Sequence, residues 1–181
     1  GLILKVYLSL ARQDWSVASS VADQICNSAR DFSVQIQARC FACQAQIAMA
    51  MGDLKSALRW LDQNPGNLDS HPFYRFLGLI RIRVLIAQGN KDLAAEQLDK
   101  CYETAFQAGW GYGLMAVRVL QALAAKSHES ALEFLIDACT LAQPEGYIRT
   151  FVDAAQGLVP LLQDTAQRCV TPEYIGRIVA C

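Results

Sequence analysis

Cys40 and Cys43 form a Cys-x-x-Cys pair, the spacing in this chain best suited to thiol chemistry or to half of a metal site. Structural zinc asks for about four ligands, and no second pair at matching spacing is present. The two histidines, His71 and His128, lie far apart in the chain. Residues three apart on a helix share a face, so the pair reads first as two small residues packed in a core. Nucleophilic catalysis has no better footing. There is no Gly-x-Ser-x-Gly, neither histidine stands where it would serve as a base, and the carboxylates are scattered. No Gly-x-x-x-x-Gly-Lys-Ser/Thr phosphate loop occurs either. The chain reads as a binding module without enzyme activity, with no cofactor or metal in this segment. For binding, Arg39, Tyr74, Arg75, Arg83 and Arg118 suit a polyol, a carboxylate or a peptide. Gln35, Gln46, Arg81 and Gln121 have the same polar character. Trp110 and Tyr112, set among glycines in Gly109-Trp-Gly-Tyr-Gly113, offer stacking surfaces, whereas Trp60, three after Ala57, reads as packing.

The elements that must carry these residues repeat. A small residue recurs at Ala18, Ala57, Ala94 and Ala131, with separations of 39, 37 and 37. Four places after it come Ala22, Leu61, Leu98 and Leu135; four places before it come Asp14, Asp53, Asn90 and Ser127, where a helix N-cap belongs. Gly52 and Gly89 stand just ahead of two of these caps, where a preceding helix must stop. The small residue has a physical reason: two helices approach closely only where one presents Ala or Gly. The spacing predicts helix pairs at 2–12 with 15–29, 34–51 with 54–63, 72–88 with 91–108, and 112–126 with 128–142. In the third pair, Phe73, Phe76, Leu77, Ile80 and Val84 form one apolar stripe and Leu79, Ile82 and Ile86 another, so that helix is sandwiched between neighbours. Asn64-Pro-Gly-Asn67 and Ser70-His-Pro72 are strong breakers, and Pro72 suits a helix start. The fold class expected is all-α: a right-handed superhelical stack of about four tetratricopeptide-like (TPR-like) hairpins over residues 1–143, with a C-terminal helical cap over 144–181. Patterns at 147–155, 158–168 and 172–181 are helical. In such a stack the first helix of each pair lines the concave surface, which places the arginines and tyrosines above where a ligand would pass.

Composition narrows the function further. Apolar residues make up 53% and charged residues 18% of the 181, too apolar for a disordered chain. Basic and acidic side chains number 16 and 17, so there is no cationic surplus for phosphate backbones, and direct nucleic acid contact by this segment is not expected. The most apolar stretch, Phe76 to Ala87, is broken by Arg81 and Arg83, which argues against a membrane span. The odd number of cysteines, seven, mostly at helical core positions, points to reduced thiols and a cytoplasmic setting. Residues 2–8 are apolar with no polar capping helix before them. Solenoids need polar caps, so the segment reads as part of a longer array, and its exposed first face leaves a homo-oligomer open.

The run Leu141-Ala-Gln-Pro-Glu-Gly-Tyr-Ile-Arg-Thr-Phe-Val-Asp153, followed by Leu158-Val-Pro-Leu-Leu162, resembles the end of the helical repeats in MalT-like, ATP-dependent regulators of the LuxR type. The repeat length also resembles theirs more than a standard unit of about 34 residues. The resemblance implies a sensor and signal-coupling arm that binds a small-molecule inducer or a regulatory protein and works with other domains of a parent regulator. Nucleotide and DNA binding would belong to those domains. A plain TPR scaffold for protein–protein interaction is the alternative. Within the closing run, Tyr147 and Phe151 share one side, and Arg149 and Asp153 can pair on another for a few tenths of a kcal/mol.

Overall fold

The computed structural model describes residues 1–29, 34–63, 75–168 and 172–181. Among them are eleven α-helices: α1 Leu2–Ala11, α2 Trp15–Ala29, α3 Val34–Ala50, α4 Leu54–Asp62, α5 Arg75–Ala87, α6 Lys91–Gln107, α7 Gly111–Ala124, α8 His128–Ala142, α9 Arg149–Val152, α10 Ala155–Arg168 and α11 Pro172–Val179. The described residues contain no strand. The all-α, TPR-like expectation holds, and the helix ends fall within a few residues of those read from spacing. The expected start at Pro72, the breakers at 64–67 and 70–72, and Phe73 lie outside the described residues.

The punctuation read from the sequence has a structural basis. Asp14 and Asp53 accept hydrogen bonds from the amides of Val17 and Ser56 at 3.2 and 2.9 Å, and Ser127 accepts from the amide of Ser130 at 3.1 Å. Each satisfies an amide that the first helical turn leaves unpaired. Asn90 holds the same position without a side-chain cap bond. Gly52 and Gly89 adopt φ of 78° and 81°, the left-handed conformation that ends a helix and strains any residue with a Cβ.

The chain divides into two compact units, residues 1–88 and 89–181; the expected 143/144 boundary lies inside the second. In the first unit α3 is packed on two sides. Cys40, Cys43 and Ile47 join Val6 of α1 and Ala18, Val21, Ala22 and Ile25 of α2. Ala38, Ala42, Ala45 and Ala48 join Ala57 and Leu61 of α4 and Ile80 and Val84 of α5. Two faces of small residues let α3 sit tightly between its neighbours, and Cys-x-x-Cys is part of one of them. In the second unit, Met115 and Val119 of α7 and Leu135, Ala138 and Cys139 of α8 share one core with Phe151, Leu158, Leu162, Tyr174, Ile175 and Ile178. The closing helices α9, α10 and α11 are thus built into the core of the last hairpin. All four repeat alanines are buried, Ala18, Ala57 and Ala94 at 0% exposure and Ala131 at 5%.

Candidate functional site

Three helix faces converge in the first unit. Asp23, Cys26 and Asn27 stand at i, i+3 and i+4 on α2, and Gln37, Cys40 and Phe41 repeat that spacing on α3. Trp60 and Gln63 stand three apart at the end of α4. Between them lies an open cavity of about 570 Å³, a volume within the range of roughly 300–1,000 Å³ usual for small-molecule sites. Asp23 is the charged side chain of the described lining. Its Oδ1 accepts a hydrogen bond of 2.7 Å from Nε2 of the buried Gln44, which fixes the carboxylate's orientation. Phe41 and Trp60 stack with ring centroids 6.1 Å apart and planes 24° off parallel.

The cavity also carries two thiols. Those of Cys26 and Cys40 hydrogen-bond to each other across α2 and α3. Burial, reinforced by the neighbouring Cys26, pushes the Cys40 thiol up to about 12. Burial likewise pushes Cys43 up to about 11, against the opposing pull of Arg39 and of a hydrogen bond with Tyr7. Both stay protonated at neutral pH, the state of a packing residue and not of a nucleophile. No disulfide joins the described cysteines, and among the described residues no group of three or more His, Cys, Asp or Glu gathers as metal ligands. No helix of the described residues is long and apolar enough to cross a membrane.

The residues singled out by type fall elsewhere. Arg39 is exposed on α3; at about 100° per residue it lies on the opposite side from the Gln37–Cys40–Phe41 face. Arg83 is half-buried on α5. Tyr74 and the side chain of Arg75 lie outside the described residues. In the second unit the guanidinium of Arg118 sits 4.0 Å from the ring centroid of Tyr102 and 5.3 Å from that of Phe134. It pairs with Asp137 at 3.3 Å and donates to Gln121 Oε1 at 3.0 Å. Trp110 and Tyr112 are brought together, centroids 6.2 Å apart. Trp110 also lies across Gly113, where a Cβ would stand 2.1 Å from its Cε3, so only glycine permits the close approach.

One recurring contact escaped the reading by spacing. The residue five places after the repeat alanine is Asp23, Asp62 and Asp99 in the first three units. Each carboxylate accepts a hydrogen bond from the first helix of the following repeat: Asp23 from Gln44, Asp62 from Arg81, and Asp99 from Gln121 at 2.9 Å. The sequence signal was present as an Asp in register, but the donor changes type from one unit to the next.

A repeating alanine, an in-register cap and a closing segment of this kind have a counterpart among known families: the profile of the MalT-like TPR region matches residues 1–168. The chain belongs to that family. No curated protein and no solved structure matches it. In this MalT-like repeat domain the closing run that begins near Pro144 is anchored by aromatic contacts. Phe151 is fully buried, and Tyr174 of α11 meets it edge-on at 6.3 Å. The Tyr174 hydroxyl donates to the Tyr147 carbonyl. Tyr147 in turn meets Tyr112 edge-on at 5.6 Å, which extends the Trp110–Tyr112 pair into the closing segment. Arg149 and Asp153 form the expected ion pair at 2.6 Å on the exposed side.

Proposed function

We propose that this MalT-like repeat domain is the sensor and signal-coupling arm of a LuxR-type transcriptional regulator, and that its effector binds in the cavity between α2, α3 and α4. The cavity is the observation that carries the reading. Its size suits a small molecule, its wall combines stacked aromatics with convergent amides and one oriented carboxylate, and it forms where successive helices meet. A ligand there touches two consecutive hairpins at once, so its affinity depends on how they are packed. That dependence is what an effector needs, since it shifts a conformational equilibrium only through differential affinity for the two states. The arm itself binds and does no chemistry. ATP and DNA would be handled by other domains of the parent, and a regulatory protein is the competing kind of effector.

Thermal-shift screening of the chain against sugars, organic acids, amines and aromatic catabolites tests this reading. Hits should raise the melting temperature in proportion to log concentration, and Asn27→Trp, which fills the cavity, should abolish the shift. Hits that survive Asn27→Trp would move the site elsewhere. Silence across the library would favour a scaffold that takes a protein partner.

A further inference from the structure

We propose that the cavity selects a small organic cation, an ammonium ion with an apolar body. The inference rests on the cavity being the effector site. It follows from what the described lining residues offer. Asp23 supplies a negative charge, and no Lys, Arg or His stands among the described lining residues to neutralise it. Among the described lining residues an anion would meet that carboxylate with no opposing charge. A neutral ligand that covered it would strip its water and return no charge, which is costly. A cation repays that loss at the carboxylate.

The rest of the wall fits the same guest. Phe41 and Trp60 are both half-buried and together present an aromatic surface beside Asp23, and aromatic faces attract cations, Trp most strongly. The amides of Asn27, Gln37 and Gln63 bring carbonyl oxygens that accept from N–H donors. Gln44 holds the carboxylate from behind through Oδ1, so Asp23 need not reorganise when a ligand arrives. Arg39, the basic residue on this stretch of α3, lies on the opposite side of the helix from the cavity face.

The test is calorimetric titration of the whole chain with choline and with 3,3-dimethylbutan-1-ol, its uncharged counterpart of the same shape. Choline should bind and the alcohol should bind at least about tenfold more weakly. Asp23→Asn removes the charge while keeping an oxygen for Gln44, so the fold is retained, and it should weaken choline by about tenfold or more. Trp60→Leu should weaken it as well, with circular dichroism confirming that helix content is unchanged. Equal binding of choline and the alcohol, or an Asp23→Asn variant that binds choline as well as the parent, would overturn the cation assignment and leave the effector cavity standing. No heat with choline, together with a screening hit of another charge class that is lost in Asn27→Trp, would also overturn it while the cavity reading survives. No heat and no cavity-dependent hit at all would remove both.

Discussion

Asp99 of α6 accepts a hydrogen bond from Gln121 of α7 at 2.9 Å, and Gln121 is only 5% exposed. The same side chain accepts from Arg118 through its oxygen, so a buried amide is satisfied at both ends by groups from two helices. Replacing Gln121 by Ala should cost the second unit about 1–3 kcal/mol, because Arg118 and Asp99 each lose a hydrogen bond, although Arg118 keeps its pair with Asp137. A double-mutant cycle with Asp99→Ala should return a coupling of about 0.5–1.5 kcal/mol. Urea unfolding followed through Trp110, with Trp15 and Trp60 replaced by Phe, reads the second unit alone. Zero coupling would show that the contact does not hold the helices together.

Gly113 is fixed by Trp110. A methyl group there would enter the indole ring, so Gly113→Ala should destabilise the second unit by about 1–3 kcal/mol through overpacking, against the helix propensity gained. Adding Trp110→Ala should recover part of that loss, since the clash goes with the ring. The melting temperatures of the two variants decide it; a Gly113→Ala chain as stable as the parent would sink the idea.

Ala57 sets how near α4 comes to α3. It is fully buried against the alanine face of α3. Ala57→Leu should cost about 1–3 kcal/mol because the helices must part to admit it. Ala57→Gly should cost about 1–2 kcal/mol, from the added backbone freedom and the loss of one buried methyl group. Chemical denaturation followed through Trp60 would separate the two, and a tolerated leucine would remove the physical reason for the repeat alanine.

The buried thiols and Tyr174 make stability fall in alkali. In the folded chain Cys40 and Tyr174 hold their protons to about 12 and Cys43 to about 11, from ordinary values of 9.0 for thiols and 10.0 for tyrosine. The unfolded chain releases those protons first. Between pH 9 and 12 the folded state therefore binds more protons than the unfolded one, and unfolding becomes easier as pH rises. The contribution is complete below pH 9 and is lost as pH climbs through 11 and 12. Urea midpoints should be flat in this respect from pH 7 to 8.5 and drop above 9, and Cys40→Ala with Cys43→Ala should shallow the drop.

How much of the molecule was legible in the sequence depends on whether a contact is made within one repeat or between successive repeats. The alanine and the capping position recur in all four repeats and the leucine in three of them, and a cap acts on its own helix, so their spacing marks the helix ends. The packing of Trp60 against the α3–α4 core was legible for the same reason, but its place in the cavity wall was not. Asp23, Asp62 and Asp99 give no such signal, because an Asp on a helix reads as a solvated surface residue and the donor that gives it a role lies 19 to 22 residues away on the next repeat. The cavity was hidden more deeply. Asp23–Cys26–Asn27 and Gln37–Cys40–Phe41 each show the i, i+3, i+4 spacing of one face, but nothing in either run says that the faces converge. Arg118 illustrates the remaining gap: its type suggested recognition of a ligand, while Tyr102, Phe134 and Asp137 engage it inside the second unit.

The aspartates five places after the repeat alanine also give the array a direction. Each hairpin offers a hook from its second helix, and the eye is always on the hairpin that comes after it. In the fourth unit the hook is missing, because Ile136 stands at the corresponding position. The chain passes from that hairpin into helices seated in its own core instead. Where the hook gives way to an apolar residue, the hairpin is thus closed by the helices that follow it in the chain.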